Sequence, residues 1–200
     1  MSYSDFDLKK IKSTFNIEIM ENDDLFSSVP EIEISDLLTQ LLRQNVPLAL
    51  AMGTEKACSE LIIINIFLEI KIQLRVSFFS GIEFTVDKEL GLNGFCDFII
   101  SQSSEQLFLE SPIVVIVEAK KNDIKEGLGQ CVAQMLGATL FNQNQNENKE
   151  FPVIYGCVTT GEIWQFLKLK EKTFYVDSQH YYINELAKLI GILQAILDEE

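Results

Sequence analysis

The chain has 200 residues, of which 47% are hydrophobic and 23% charged, proportions that are ordinary for one globular domain with a substantial core. Its formal net charge of −14 argues against a protein that binds nucleic acid tightly through its own basic surface. Polar residues interrupt the longest apolar stretch, near residues 61–72, and Met1 to Lys12 is polar and charged, so we expect a single soluble, cytoplasmic domain over residues 1–200 without a membrane segment.

Residues 1–50 are predicted to form a helical extension. Asp5 to Phe15 has the pattern of a short amphipathic helix. Ser35 or Asp36 can cap a second helix that runs to about Gln44. Both helices are expected to pack beside the core.

A third helix is predicted from Thr54, in the segment TEKACSELIIINIFLEI, where the core region 54–170 begins. Glu60 is an acid on an otherwise apolar stripe of this helix. Glu55 lies near the helix start, where an acid favours the helix macrodipole. The residues at helical spacing on the stripe are Ala57, Glu60, Ile64 and Phe67.

Two predicted strands each carry an acid among apolar residues. The segment LNGFCDFIIS, from about Leu92 to Ser101, holds Asp97. Ile113 to Lys120 reads IVVIVEAK, an apolar run long enough for a buried strand. Because strand residues alternate between faces, Glu118 and Lys120 share one face. A purely structural ion pair is the weaker explanation, since burying two charges rarely adds net stability.

Asp97, Glu118 and Lys120 have the chemistry of a metal-assisted hydrolase. Two carboxylates on neighbouring strands can bind a hard divalent cation such as Mg²⁺. Such an ion lowers the pKa of a bound water and neutralises charge on a phosphate under attack. A lysine can supply a further positive charge or orient the water. The pattern therefore indicates phosphodiester hydrolysis.

Histidine and cysteine give no sign of another metal chemistry. His180 is the single histidine, which argues against a histidine-based site. The four cysteines are widely spaced in apolar contexts typical of reduced, buried thiols, so we expect neither disulfides nor zinc. They are Cys58, Cys96, Cys131 and Cys157.

The segment KEGLGQCVAQMLGATLF is predicted to form a helix after the second strand. Gln130 and Gln134 are four residues apart and share a face of it. We interpret Gln134 as a good helix former on a solvated face. A polar loop, Asn142 to Glu150, is predicted to separate this helix from the strand FPVIYGCVTT.

The C-terminal part is predicted to contain a hairpin and a helix. The segments GEIWQFLKLK and KTFYVD read as two strands joined at Glu171 and Lys172. Trp164 and Phe166 share a strand face that favours the core. The helix Ile183 to Leu197 carries an apolar stripe that could close the core or form a homodimer. Residues 171–200 thus add a strand and a helix.

The order of these elements, over roughly residues 54–170, resembles the PD-(D/E)xK, or restriction-endonuclease-like, nuclease superfamily. Asp97 matches the first acid of its motif, and Glu118-Ala119-Lys120 matches the ExK that follows. Cys96 replaces the motif's proline, a change that removes no ligand.

The resemblance implies an α/β fold with a central mixed sheet flanked by helices in the order αβββαβ. It implies Mg²⁺, with Mn²⁺ as a substitute, held by Asp97, Glu118 and the main-chain carbonyl of Ala119. Glu60 is the candidate for a further ligand on the preceding helix. Lys120 would be the catalytic lysine, and Gln130 the glutamine that faces the active site. DNA is the substrate that the resemblance favours.

The alternative function is a catalytically silent nuclease-fold subunit that binds a protein partner in an assembly or a regulatory role. The acidic surface and the lack of a nucleic-acid recognition motif favour it. On either view we expect weak binding to DNA unless a partner protein delivers the substrate. A third function, an acidic mimic of nucleic acid, is disfavoured because the carboxylates are scattered rather than striped.

Overall fold

The structure, a computed structural model, describes residues 1–145 and 153–198. Its strands are β1 (Glu18–Asp23), β2 (Ser77–Glu83), β3 (Phe95–Ser101), β4 (Ile113–Ala119), β5 (Ile154–Thr159), β6 (Ile163–Lys170), β7 (Thr173–Asp177) and β8 (Tyr181–Tyr182). Its helices are α1 (Leu8–Phe15), α2 (Asp36–Met52), α3 (Glu55–Cys58), α4 (Ile64–Gln73), α5 (Ile124–Gln145) and α6 (Leu186–Asp198). A π-helical turn, Ser59–Ile63, joins α3 to α4.

All eight strands form one mixed sheet, which confirms the predicted α/β class. The strand order is β1-β7-β6-β5-β4-β3-β2, and β8 pairs with β6. The pairs β4–β5 and β1–β7 are parallel, and the other pairs are antiparallel. From α3 to β5 the chain runs helix, three strands, helix, strand, as predicted.

Apolar residues pack on both faces of the sheet. One cluster lies under α2, α3, α4 and α6, and it contains the buried side chains of Trp164 and Phe166. The other lies under α5 and the N-terminal segment. Every residue of β4 is buried, as the run IVVIVEA predicted. In the ranges that the structure describes, no helix is long and apolar enough to cross a membrane.

The predicted extension, core and C-terminal part all contribute strands to one sheet. Residues 1–50 are not purely helical, because Glu18–Asp23 forms β1 and pairs in parallel with β7. The N-terminal part, through β1, and the C-terminal part, through β7, thus contribute neighbouring strands to the same sheet. The apolar stripe of α6 is buried and closes the core, which is one of its two predicted roles.

Helix α2 continues past its predicted end at Gln44 and contains Pro47. A proline in a helix lacks an N–H donor and frees one carbonyl of the preceding turn. Pro47 is exposed, and water can bond such a freed carbonyl on the outer side of a helix. The helix ends at Gly53, whose left-handed φ of 60° suits glycine.

Helix α5 includes residues 142–145, so the predicted loop is wrong there. Residues 146–150 of that predicted loop lie outside the described residues. Asn142 is buried rather than solvated. Its side chain donates to the carbonyl of Ile113 and accepts from the Ile113 N–H, both at 2.8 Å. The amide thereby acts as a strand partner for the start of β4, a role that polarity alone could not reveal.

Glycines let the N-terminal segment pack closely against α5. A Cβ at Gly129 would lie 2.4 Å from the Asp7 Cα and 2.4 Å from the Phe6 carbonyl oxygen. A Cβ at Gly137 would lie 2.5 Å from the Tyr3 hydroxyl. The α5 helix is therefore covered by the sheet on one side and by residues 3–7 on the other.

We expect Gly129→Ala to lower the free energy of unfolding by about 1–3 kcal/mol, because backbone atoms of Phe6 and Asp7 must move to admit the methyl group. Urea unfolding of the variant and the wild type measures the difference. Glu126→Ala, at an exposed position of the same helix, is the matched control and should change stability little. Equal effects of the two substitutions would contradict the close packing.

Candidate active site

Strand pairing brings Asp97 and Glu118 together. The antiparallel β3–β4 ladder pairs Phe98 with Val117, so Asp97, which precedes Phe98, lies beside Glu118, which follows Val117. The Asp97 Oδ2 accepts a hydrogen bond of 2.8 Å from the Ala119 N–H. The predicted acids therefore meet at the carboxyl end of β4.

Lys120 and α5 complete this cluster. The Lys120 Nζ lies 2.6 Å from the Glu118 Oε1, and the side chain of Glu118 is only 2% exposed. Lys120 also donates to the Gln130 Oε1 at 3.4 Å. Its main-chain N–H donates to the Thr159 carbonyl at 2.8 Å, which continues the pairing of β4 with β5. The structure thus groups four residues of the prediction, Asp97, Glu118, Lys120 and Gln130.

Gln134 belongs to the same cluster, so its interpretation as a solvated residue is wrong. It is fully buried, and its Nε2 donates to the Glu118 Oε2 at 2.9 Å and to the Phe95 carbonyl at 3.3 Å. Its Oε1 is buried and has no hydrogen-bond partner in the described part of the chain. The signal available in the sequence was its spacing of four residues from Gln130 on a helix, which does not reveal how far that face is covered.

Among the described residues, no hydrogen bond or ion pair joins Glu60, the candidate for a further metal ligand, to the cluster. Its exposed side chain pairs with Lys56 at 3.3 Å on the helix surface. The reason is the phase of the helix. Its buried stripe advances in steps of four residues through the π-helical turn, and Glu60 lies halfway between two members of it. The stripe contains Cys58, Ile62, Ile66 and Ile70.

Glu55, which the sequence assigned to the helix macrodipole, is the acid of this helix that interacts with the cluster. Burial raises the pKa of its carboxyl, with the positive charge of Lys120 lowering it and the negative charge of Asp97 raising it. The Thr54 side chain caps the helix by accepting from the Ala57 N–H at 3.1 Å. This cap starts the helix beside the sheet and gives Glu55 its place in the first turn.

Burial makes the carboxylates of the cluster difficult to ionise. Burial and, to a smaller extent, the nearby charge of Asp97 raise the pKa of Glu118 to about 7, against the opposing effects of Lys120 and Gln134. Burial also raises the pKa of Asp97, against the hydrogen bond from the Ala119 N–H. Burial lowers the pKa of Lys120, but the negative charges of Glu118, Glu55 and Asp97 and the hydrogen bond to Glu118 together outweigh it, so the ammonium is favoured.

The donors at this site fit a hard cation. Asp97 is half-buried and Glu118 buried, and a positive ion would stabilise these two carboxylates, whose charges repel each other. Oxygen ligands are those that Mg²⁺ prefers. The buried Oε1 of Gln134 adds an unsatisfied acceptor. Within the described ranges, however, no group of three or more His, Cys, Asp or Glu side chains stands in a metal-binding arrangement. A third ligand would therefore come from Glu55 after a side-chain movement, or from the main chain, as predicted for Ala119.

Comparison of the chain with protein-family models, curated proteins and solved structures gives no match. The resemblance to the PD-(D/E)xK superfamily consequently depends on the motif, the element order and the geometry of the cluster. It stays a prediction.

The raised pKa of Glu118 makes folding stability depend on pH. In the unfolded chain the carboxyl ionises near 4.5, whereas in the fold it holds its proton to about pH 7. The contribution of this carboxyl to folding stability is therefore fully present below pH 4.5 and is lost as the pH rises from 4.5 to 7. Without divalent cations, we expect urea unfolding to show a loss of about 1–3 kcal/mol between pH 5 and pH 8.

Glu118→Gln should remove most of this pH dependence, because the amide does not ionise. Glu60→Gln makes the same acid-to-amide change at an exposed position and should leave the dependence of unfolding free energy on pH as in the wild type. A profile for Glu118→Gln as steep as that of the wild type would show that another group causes the dependence.

Proposed function

We propose that the protein is a Mg²⁺-dependent endonuclease of the PD-(D/E)xK type that hydrolyses phosphodiester bonds, with DNA as the substrate. The observation that carries the proposal is the cluster at the end of β4, where Glu118 contacts Lys120 and lies beside Asp97. In an ordinary fold such a buried set of charges is costly. Binding of a cation and a phosphate would explain why these charged side chains are grouped there.

Asp97 and Glu118 would hold the cation, with the main-chain carbonyl of Ala119 as the third ligand that the resemblance implies. When bound, Mg²⁺ activates water and neutralises charge on the phosphate. The hydrogen bond from the Ala119 N–H fixes the Asp97 carboxylate, and Gln134 fixes Glu118. Both acids are thus oriented before any ligand arrives.

Lys120 would act as a positive charge rather than as a base. Its raised pKa keeps the ammonium protonated at neutral pH. In this form it can stabilise negative charge on the phosphate or donate a proton to the leaving oxygen. The Gln130 Oε1 lies 3.4 Å from the Lys120 Nζ. It would keep a hydrogen bond to the ammonium when the Glu118 carboxylate binds the metal ion.

Lys120→Ala should abolish cleavage, with a loss of roughly 100-fold or more in rate, because the charge next to the phosphate is removed. The assay is Mn²⁺-dependent cleavage of single-stranded, duplex and branched DNA at low salt. Lys121→Ala, at the exposed neighbouring position, is the matched control and should cleave like the wild type. Thermal unfolding checks that both variants are folded. Unchanged cleavage by Lys120→Ala would refute the role of the lysine.

Mn²⁺ or Mg²⁺ should raise the stability of the wild type, by about 3 kcal/mol at a hundredfold excess over the dissociation constant. Asp97→Asn should lose this gain. Glu55→Gln should reduce it and Glu60→Gln should not, because only Glu55 interacts with the cluster. Thermal unfolding of each variant with and without the ion measures the gain in stability. A larger effect of Glu60→Gln would restore the prediction from sequence.

The second candidate is a catalytically silent subunit that binds a partner protein. The net charge of −14 favours it, as does the engagement of both Glu118 oxygens by Lys120 and Gln134. Metal binding without cleavage of any substrate would support this function. Cleavage that Lys120→Ala abolishes would exclude it.

A further inference from the structure

Phe95 is an exposed aromatic residue beside the carboxylate cluster. It begins β3 two residues before Asp97, and 68% of its surface is accessible. The structure describes no aromatic ring or cation packed on it, although most large apolar residues of the chain are buried. Building on the proposed function, we propose that Phe95 stacks on an unpaired nucleobase next to the phosphate that is cleaved. The preferred substrate would then be single-stranded DNA, or a duplex with an unpaired nucleotide at that point.

The strand places the ring and the carboxylate on the same side. Cys96, the residue between them, is fully buried in the core under α5, whereas Phe95 is exposed and Asp97 is half-buried, so the two flanking side chains project away from the side that Cys96 occupies. Residues two apart on a strand are about 6.6 Å apart. This is about the repeat of one nucleotide along an extended single strand, so a phosphate at Asp97 leaves a neighbouring base within reach of the ring.

The ring is also held in register with the catalytic groups. Gln134 donates through one amide nitrogen to the Phe95 carbonyl and to the Glu118 carboxylate. One buried donor, the Gln134 amide, therefore binds both the main chain of Phe95 and the carboxylate of Glu118, which is proposed to bind the cation. A shift of either group would alter the hydrogen bond to the other.

Space for a ligand is present on the neighbouring strand. Gly81 lies opposite Asp97, between the pairs Ser80–Phe98 and Ile82–Cys96. A Cβ at Gly81 would have no heavy atom within 4 Å. Its φ of 63° is a conformation that glycine adopts readily and other residues rarely, which keeps the position without a side chain.

Charge explains why stacking suits this protein. The chain is strongly acidic, and the residue paired with Phe95 is Glu83, so phosphate contacts give little affinity here. Stacking on an aromatic ring is independent of net charge and tolerates any base. In an intact duplex each base already stacks on its neighbours, so a duplex presents no free face to the ring.

The test measures binding with cleavage blocked by Lys120→Ala, in the presence of Mn²⁺. The probe is a single-stranded oligonucleotide that contains 2-aminopurine, whose fluorescence falls on stacking, and the same strand in a duplex. Three further variants are compared on that background: Phe95→Ala, Phe95→Trp and Phe108→Ala. Phe108 is the matched control, since it is 55% exposed but lies in the β3–β4 connection, at the other end of both strands.

We expect Phe95→Ala to weaken single-strand binding roughly 10- to 100-fold and to abolish the fluorescence change, with duplex binding altered less than about twofold. Phe95→Trp should keep both the single-strand binding and the fluorescence change. Phe108→Ala should behave like the Lys120→Ala protein into which it is introduced. Unchanged single-strand binding by Phe95→Ala, or an equal loss for duplex, would overturn the stacking role. Selective binding that depends on Phe95 without any cleavage by the wild type would refute the proposed hydrolysis and leave the stacking site intact.

Discussion

The burial of Glu118 beside Asp97 is the constraint on which the site depends. An acid in the last position but one of a wholly buried strand is tolerated only because its oxygens are bonded by Lys120 and Gln134. Asp97 in turn takes the Ala119 N–H, a donor of the strand itself. These contacts do not fully offset the cost of burying the negative charge of Glu118, since its pKa stays raised. A bound cation would lower that cost, which links the stability of the fold to its proposed chemistry.

The close approach of α5 makes these contacts possible. A Cβ at Gly127 would lie 2.6 Å from a Val158 methyl group and 3.0 Å from the Lys120 Cγ, so only glycine lets the helix lie so near β5 and the lysine. At this distance a glutamine side chain reaches the carboxylate. The N-terminal segment covers the opposite side of α5 and holds the helix against the sheet. Residues remote from the cluster thus determine its geometry.

The acidic charge and the cluster fit a protein that gains little from general attraction to nucleic acid. Under the proposed function, local recognition would come from groups at the site: the ammonium of Lys120, the carboxylates of Asp97 and Glu118, and the exposed ring of Phe95. Such a protein would select substrates by the accessibility of a phosphate and a base rather than by sequence. A partner protein could raise the local substrate concentration without altering these contacts.

The sequence by itself determined the strands that carry Asp97 and Glu118, the helix that carries Gln130, and the hairpin around Glu171, because alternation and helical spacing are local properties. Only the tertiary structure decided the rest. It left Glu60 exposed beside Lys56, partly buried Glu55 near the charges of Lys120 and Asp97, buried Gln134, and gave β1 and Asn142 their strand partners. Each of these depends on which neighbour covers a given face, and a π-helical turn changes the phase of a helix with no mark in its composition.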